Sequence, residues 1–296
     1  MLVTLNEVLK DAQKNKYAVG LFNTVNLEMA KGVLAAATEA NSPVIIGTAE
    51  VLLPFSSLEE LASMLVPMAK KAKIPVVLHF DHGLTLDCVH KAIALGFSSV
   101  MYDCSTKSYN ENVRDVRAMV EFAHSRGISV EAELGHVGQG DNYAVDGVSA
   151  LTNPEEAKKF FELTDVDCLA VAVGTAHGVY VGTPHIDFER LKDINAACGK
   201  PLVLHGGSGS GDENISKACT MGITKVNIVT DVMIATNNAI IKAALPDPDA
   251  RFFYKVVHDA TYDFAKHAFE LTGCIGKAAS GCKKDVVSGG DLVYKE

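Results

Sequence analysis

The chain is short of three things, and each shortage removes a class of function. Its seven cysteines, Cys88, Cys104, Cys168, Cys198, Cys219, Cys274 and Cys282, are odd in number and include no C-x-x-C pair. A scattered odd set reads as reduced thiols and argues against a disulfide-stapled secreted fold. Basic charge is scarce as well: 27 Lys and Arg against 36 Asp and Glu give a net charge of −9. A duplex-binding protein needs a positive field, so nucleic acid is not an expected partner. Long apolar runs are missing too: none approaches the roughly 18 residues of a membrane-spanning helix. The start, Met1-Leu-Val-Thr-Leu-Asn-Glu, lacks the basic region and apolar stretch of a signal peptide. The expectation is a cytoplasmic protein with no membrane partner. Disorder is excluded by composition, because 48% hydrophobic residues against 21% charged can bury a large core.

What the chain does have is a repeated short apolar run. Eight occur: Val19–Asn23, Pro43–Thr48, Pro75–Asp81, Ser98–Asp103, Ser129–Leu134, Cys168–Gly174, Pro201–His205 and Lys225–Thr230. Amphipathic segments such as 27–40, 58–71, 112–126 and 154–163 lie between them. The runs recur about every 29 residues, close to one strand–helix unit. Continuous rather than alternating apolarity marks strands buried on both faces. Length alone suggests about two domains, but eight uninterrupted units argue for one α/β domain over 1–296, a closed (β/α)8 TIM barrel with a C-terminal helical extension. An open doubly wound sheet is the alternative, and it would leave edges to protect. The end, 274–296, is expected to be either a loose tail or a segment packed on a neighbouring subunit.

In such barrels chemistry sits at the C-terminal ends of the strands, and the unusual side chains fall there. The third run ends in His79-Phe-Asp81-His82-Gly83, the fourth in Asp103, and the fifth carries Glu131 and Glu133 ahead of Leu134-Gly135-His136. The sixth leads into His177-Gly178, the seventh into His205-Gly206-Gly207-Ser208-Gly209, and the eighth holds Asn227 and Thr230. One histidine alone is more often a satisfied polar residue. Three at matching strand ends, His82, His177 and His205, each followed by Gly, suit a catalytic zinc that polarises a carbonyl. His79, two residues before Asp81, shares its strand face and is expected to support the site by hydrogen bonding.

Asp81, next to a ligand, suits either proton transfer, with its pKa raised in a partly dry site, or orientation of a histidine ring. Asp103 and Glu133 read equally as ligands, supporting groups or hydrogen-bonded barrel polars. The Gly206–Gly209 turn opening a helix suits either phosphate or a tight turn, with Asn227 and Thr230 as further donors.

These residues resemble the class II, zinc-dependent ketose-bisphosphate aldolases. The resemblance runs from Phe22-Asn23 to Asp231 and rests on four motifs in order: Leu78-His-Phe-Asp-His-Gly83, Glu131-Ala-Glu-Leu-Gly135, Gly174-Thr-Ala-His-Gly178 and Leu204-His-Gly-Gly-Ser-Gly209. It implies zinc on His82, His177 and His205, with Asp81 moving the proton of the ketose C4 hydroxyl. It implies a sugar phosphate substrate, held through Asn23, Gly178, Gly206, Gly207, Ser208, Asn227 and Thr230. Glu133 and Asp103 match carboxylates that approach the metal, and carbonyls near Gly178 and Gly206 match those around a monovalent cation, Na+ or K+. Asp141 matches a mobile-loop Glu that moves a proton at C3, one methylene shorter. A homodimer or homotetramer active in carbohydrate metabolism, of the glycolysis type, is implied as well.

Two positions depart from the family. Fructose-bisphosphate members carry Asp where this chain has Val229, and several carry Arg or Lys where it has Met233. The expected substrate is therefore a ketose 1-phosphate or an unusual bisphosphate, unless an arginine such as Arg251 reaches the distal phosphate. The rivals are a metal-dependent barrel hydrolase, which prefers H-x-H on strand one where this chain ends in Asn23, and a non-catalytic aldolase-like subunit.

Overall fold

Continuous apolar strands need cover on both faces, and closure of the sheet provides it. The computed structural model describes residues 1–138, 144–145, 148–149, 151–180, 182–244 and 250–279. Its barrel strands are β1 (Val19–Asn23), β2 (Val44–Ala49), β3 (Val76–Gly83), β4 (Ser99–Tyr102), β5 (Ser129–Leu134), β6 (Cys168–Val171), β7 (Leu202–Leu204) and β8 (Ile223–Asn227). Each pairs in parallel with the next, and β8 pairs back to β1, so the eight strands have no free edge. A two-residue strand, Leu2–Val3, pairs with β3 at Val76 and Val77, below the level where β4 takes over at His79. The barrel floor is completed by this piece, which is too short to show as a sequence period.

The helices are α1 (Leu27–Glu39), α2 (Leu58–Lys71), α3 (Leu86–Ala94), α4 (Tyr109–His124), α5 (Pro154–Thr164), α6 (Phe188–Cys198), α7 (Asp212–Thr220), α8 (Thr230–Ala244) and α9 (Ala250–Thr272), with a further helix at Leu5–Asn15 ahead of β1. Capping boxes fix several starts: Ser57 with Glu60, and Ser108 with Glu111. The second begins α4 at Tyr109, a turn earlier than the apolar period suggests. The C-terminal helix α9 lies against α1, and Gly32 is what permits the approach, since a Cβ there would sit 2.5 Å from the His258 carbonyl oxygen. Phe269 of α9 meets Phe22 of β1 edge to face at 5.7 Å.

Three differences from the sequence reading have local causes. The eighth strand is Ile223–Asn227, because the last ladder bond runs from the Ile228 N–H to the Leu21 carbonyl and Thr230 already begins α8. The Gly206–Gly209 turn does not open a helix directly, since α7 starts at Asp212 after Gly211. Residues 274–279 dock on their own chain: the N–H groups of Gly276 and Ala278 donate to the carbonyls of Ala40 and Asn41, and Ser42 Oγ lies 2.9 Å from Cys274 Sγ. The rest of that stretch, 280–296, lies outside the described residues.

Candidate active site

Successive residues of a strand point to opposite faces, so Asp81 and His82 should not both reach one cavity. A bulge in β3 lets them. The β3–β4 register shifts between Phe80 and Gly83, and His82 takes a left-handed backbone with φ of 41°. Such a conformation costs a non-glycine residue on the order of 1–2 kcal/mol, and bulges of this kind re-aim side chains beside active sites.

The re-aimed ring meets two others. His82 Nε2 lies 3.1 Å from His177 Nε2 and 2.8 Å from His205 Nδ1. The opposite nitrogen of each ring faces an acceptor: His82 Nδ1 is 2.8 Å from Asp103 Oδ2, His205 Nε2 is 2.8 Å from Glu131 Oε1, and His177 Nδ1 is 3.2 Å from the Val137 carbonyl oxygen. Protons held on those outer nitrogens turn three lone pairs toward one point, where they repel unless a cation lies between them. Burial opposes a charge on His82, but Asp81 and Asp103 overcome it and raise its pKa to about 9. Burial, then His82 and His205, push His177 down to about 4. One positive charge shared among three nitrogens is what the cluster favours. Glu133 adds to the fit. Its Oε1 accepts the Val137 N–H at 2.9 Å, while its buried Oε2, 3.6 Å from His205 Nδ1, has no hydrogen-bond partner among the described residues. Both {His82, His177, His205} and {His82, Asp103, Glu133} group donor atoms closely enough for one ion.

Asp81 is gripped from both sides. Asn23 Nδ2 donates to Oδ2 at 2.8 Å, and Asn227 Nδ2 lies 3.0 Å from Oδ1. The sequence expectation was a raised pKa, and the structure reverses it. Burial does act upward, but His82, Lys225 and His205 outweigh it and hold the carboxyl well below its ordinary range. Asp81 is therefore a base rather than an acid at neutral pH.

Lys225 and Glu131 form a buried ion pair beneath the site; the sequence reading noted Glu131 without giving it a partner and missed Lys225. Both are fully buried, Nζ lies 2.9 Å from Glu131 Oε2, and it donates to Asn227 Oδ1 at 2.6 Å. Glu131 is held at about 2, with burial opposed by Lys225 and by the His205 ring. The available signal was a lysine two residues before Asn227 in an otherwise apolar strand, hence on the same face. His79 sits beside them with Nδ1 2.8 Å from Ser99 Oγ; burial and then Lys225 push it down to about 4, so it is neutral.

Above this layer opens a cavity of about 350 Å³. Asn23, Asp81, His82, Asp103, Glu133, His177, Gly178, Gly206, Ser208, Asn227 and Thr230 line it, as do Val229 and the unanticipated His136. Thr230 begins α8, so a helix N-terminus borders the cavity, with the Asp231 N–H already donating to Ser208 Oγ at 3.1 Å. Gly207 does something else: its N–H donates to the Asn227 carbonyl, joining β7 to β8. Gly206 must be glycine, with φ of 64° and a Cβ position 2.2 Å from the Ala176 carbonyl oxygen. Its own carbonyl accepts from Ser210 Oγ at 2.8 Å and lies 2.9 Å from Tyr180 Oη, whose single hydrogen also faces the Ala176 carbonyl at 2.6 Å. Met233 packs with Met29, Val232 and Val257 instead of facing the cavity. Asp141 and the Arg251 side chain lie outside the described residues.

The comparisons agree with this geometry. The family described as fructose-bisphosphate aldolase class-II matches residues 3–277. The crystal structure of the YdjI aldolase from Escherichia coli K12 is 38% identical, with a TM-score of 0.86 over 94% of this chain and 100% of that one. A putative fructose-1,6-biphosphate aldolase from Coccidioides immitis is 29% identical, with a TM-score of 0.81 over 93% and 98%. The fructose-bisphosphate aldolase (Fba) from Campylobacter jejuni is 25% identical, also at 0.81, over 93% and 97%. Neither a hydrolase nor a non-catalytic subunit is named among these three. The chain belongs to the class-II fructose-bisphosphate aldolase family and is a class II aldolase, an aldehyde-lyase on a closed (β/α)8 barrel.

Proposed function

We propose that the enzyme reversibly cleaves a ketose 1-phosphate to dihydroxyacetone phosphate and an aldehyde, with zinc held by His82 Nε2, His177 Nε2 and His205 Nδ1. The observation that carries this is the convergence of those three nitrogens beside an ionised Asp81. Zinc, when bound, supplies Lewis-acid polarisation of the substrate ketone. Asp103, Glu131 and the Val137 carbonyl hold the three rings in the tautomers that leave their inner nitrogens free. Glu133, whose Oε2 has no hydrogen-bond partner among the described residues, is a further oxygen donor within reach.

In the cleavage direction Asp81 accepts the proton of the C4 hydroxyl. The C3–C4 bond breaks, C4 leaves as the aldehyde carbon, and its electron pair passes into the C2–C3 bond and onto the C2 ketone oxygen. Asn23 and Asn227 fix the carboxylate for that transfer. C3 then takes a proton, a step this reading gives to Asp141. Ser208, Thr230 and the backbone at Gly178 and Gly206 hold the phosphate at the start of α8. Lys225 is ion-paired and buried, so no Schiff base forms on it. The Gly206 carbonyl already accepts from Ser210 Oγ, and no step is assigned to Na+ or K+.

Val229 in the cavity and Met233 turned away support a substrate without a distal phosphate. The same reading makes the protein a cytoplasmic enzyme of carbohydrate metabolism, working as a homodimer or homotetramer. Phe252, Phe253 and Tyr254, about half exposed on α9, support burial against a second copy. The test is condensation of dihydroxyacetone phosphate with glyceraldehyde 3-phosphate and with both glyceraldehydes, using chelated enzyme as control. Product that disappears on chelation and returns with zinc is expected. No product from any aldehyde, with zinc bound, would refute the assignment.

A further inference from the structure

The cavity has two chemically different sides. Toward β6–β8 it presents Gly178, Gly206, Ser208 and Thr230; toward β2 and β3 it presents Ala49, Val51, Leu52 and Leu84. Asp81 lies between them, reached by Asn227 from β8 and by Asn23 from β1. Val51 and Leu84 are 63% and 53% exposed, so the apolar side leaves hydrocarbon in water at the mouth of the site. Isolated exposed apolar residues need no explanation, but several facing one cavity do.

A single carboxylate holds that side in shape. Glu50 begins the short 3-10 turn Glu50–Leu52 that follows β2, and it reaches across to the loop after β3. Its Oε2 accepts the N–H groups of Leu84 at 2.7 Å and Thr85 at 3.0 Å, and its Oε1 accepts the Thr85 hydroxyl at 2.8 Å. Those donors sit at the start of α3, where a negative charge is also favoured by the helix dipole. Val51 and Leu52 are thereby tied to Leu84 before any ligand arrives, and preorganisation of this kind lowers the ordering penalty of binding.

We propose that this braced apolar wall is the aldehyde subsite, and that it selects aldehydes whose far end is an uncharged methyl or methylene group. The inference rests on the aldolase reading above. With the donor phosphate on the β7–β8 side and Asp81 on the C4 hydroxyl, the carbons beyond C4 run toward β2 and β3. A terminal phosphate there would lose its water against Val51, Leu52 and Leu84, and would face the carboxylates of Asp81, Asp103 and Glu133. A methyl group would instead take apolar surface out of water on both partners. Each methylene so covered is worth about fourfold in kcat/KM. Val51 and Leu84 are specificity-determining residues on this account, and Glu50 is a positioning residue acting through them.

The test uses the zinc-loaded full chain with dihydroxyacetone phosphate and three aldehydes: lactaldehyde, glyceraldehyde and glyceraldehyde 3-phosphate. They share the reacting carbons and differ at the far carbon, which is a methyl, a hydroxymethyl or a phosphate ester. Lactaldehyde has no hydroxyl to desolvate at the far carbon and is expected to lead glyceraldehyde by about fivefold or more in kcat/KM, with the 3-phosphate last. Leu84→Ser and Val51→Ser should each remove most of that lead, with zinc content and Tm measured on the same preparations to show that the fold persists. Glu50→Ala should raise KM for lactaldehyde more than for glyceraldehyde, whereas general damage would raise both alike. Preference for the 3-phosphate, or a lactaldehyde lead unmoved by both serine variants, overturns the subsite and leaves the aldolase standing. Failure of all three aldehydes overturns the aldolase reading instead.

Discussion

Replacing Lys225 by methionine keeps the length of the side chain and removes its charge. Glu131 then stays fully buried, left with the His205 ring at 2.8 Å, the Cys168 thiol at 3.6 Å and the His79 ring at 3.7 Å, and Asn227 Oδ1 loses its donor at 2.6 Å. Breaking a buried ion pair from one side costs about 3–5 kcal/mol, because the orphaned charge remains without solvent. At about 2 cal/mol/K per residue, the unfolding entropy of a 296-residue chain is roughly 0.6 kcal/mol/K, so Tm should fall by about 5–8 °C. Thermal scans at one fixed rate, on chelated protein so that metal binding does not mask the change, provide the measurement. The double variant Lys225→Met/Glu131→Gln removes both charges and leaves His205 an acceptor oxygen, so it should recover at least half of the lost Tm. A single variant within 1 °C of the parent, or a double variant worse than the single, would refute the reasoning.

Four further outcomes follow from the site. Asp81→Asn should retain zinc by elemental analysis while turnover falls by about 10²–10⁴; His205→Ala should lose the metal itself, and full zinc in that variant would remove the ligand. His79 is neutral in the fold with its pKa pushed down to about 4. A depressed histidine pKa gives stability that is present above about 6.5 and lost as pH falls toward 4, worth about 3 kcal/mol at most. In urea titrations of chelated protein, His79→Gln should therefore flatten the pH dependence between those limits, and an unchanged slope would count against it. Gly206→Ala places a Cβ 2.2 Å from the Ala176 carbonyl oxygen at a φ of 64°, and should disrupt the His205 loop, measured as lost zinc and lowered Tm.

The barrel and the three histidines of the candidate metal site were readable because both signals are local. Buried parallel strands write continuous apolar runs, and His82, His177 and His205 each stand at a strand end before a glycine. Relations across the barrel write nothing comparable. Lys225 and Glu131 each look like an odd polar residue in an apolar strand until β8 and β5 are brought face to face. Asp81 was assigned the wrong pKa direction for the same reason: desolvation can be inferred from a strand, but the opposing charges come from Lys225 and from the rings. The assignment of Gly207 to phosphate contact read a glycine run as a uniform cradle, whereas its N–H is spent on the β7–β8 junction. The bulge at His82 is a backbone property that residue identity does not reveal.

That bulge makes the proposed proton acceptor, Asp81, and a proposed metal ligand, His82, neighbours on one peptide bond. The carboxylate is fastened to β1 and β8, and the ring beside it is fastened to Asp103 beyond β4. Loosening either half of the barrel therefore disturbs both functions at once. A partly opened molecule should then be silent, with no species that still binds zinc in place yet abstracts protons from the wrong position.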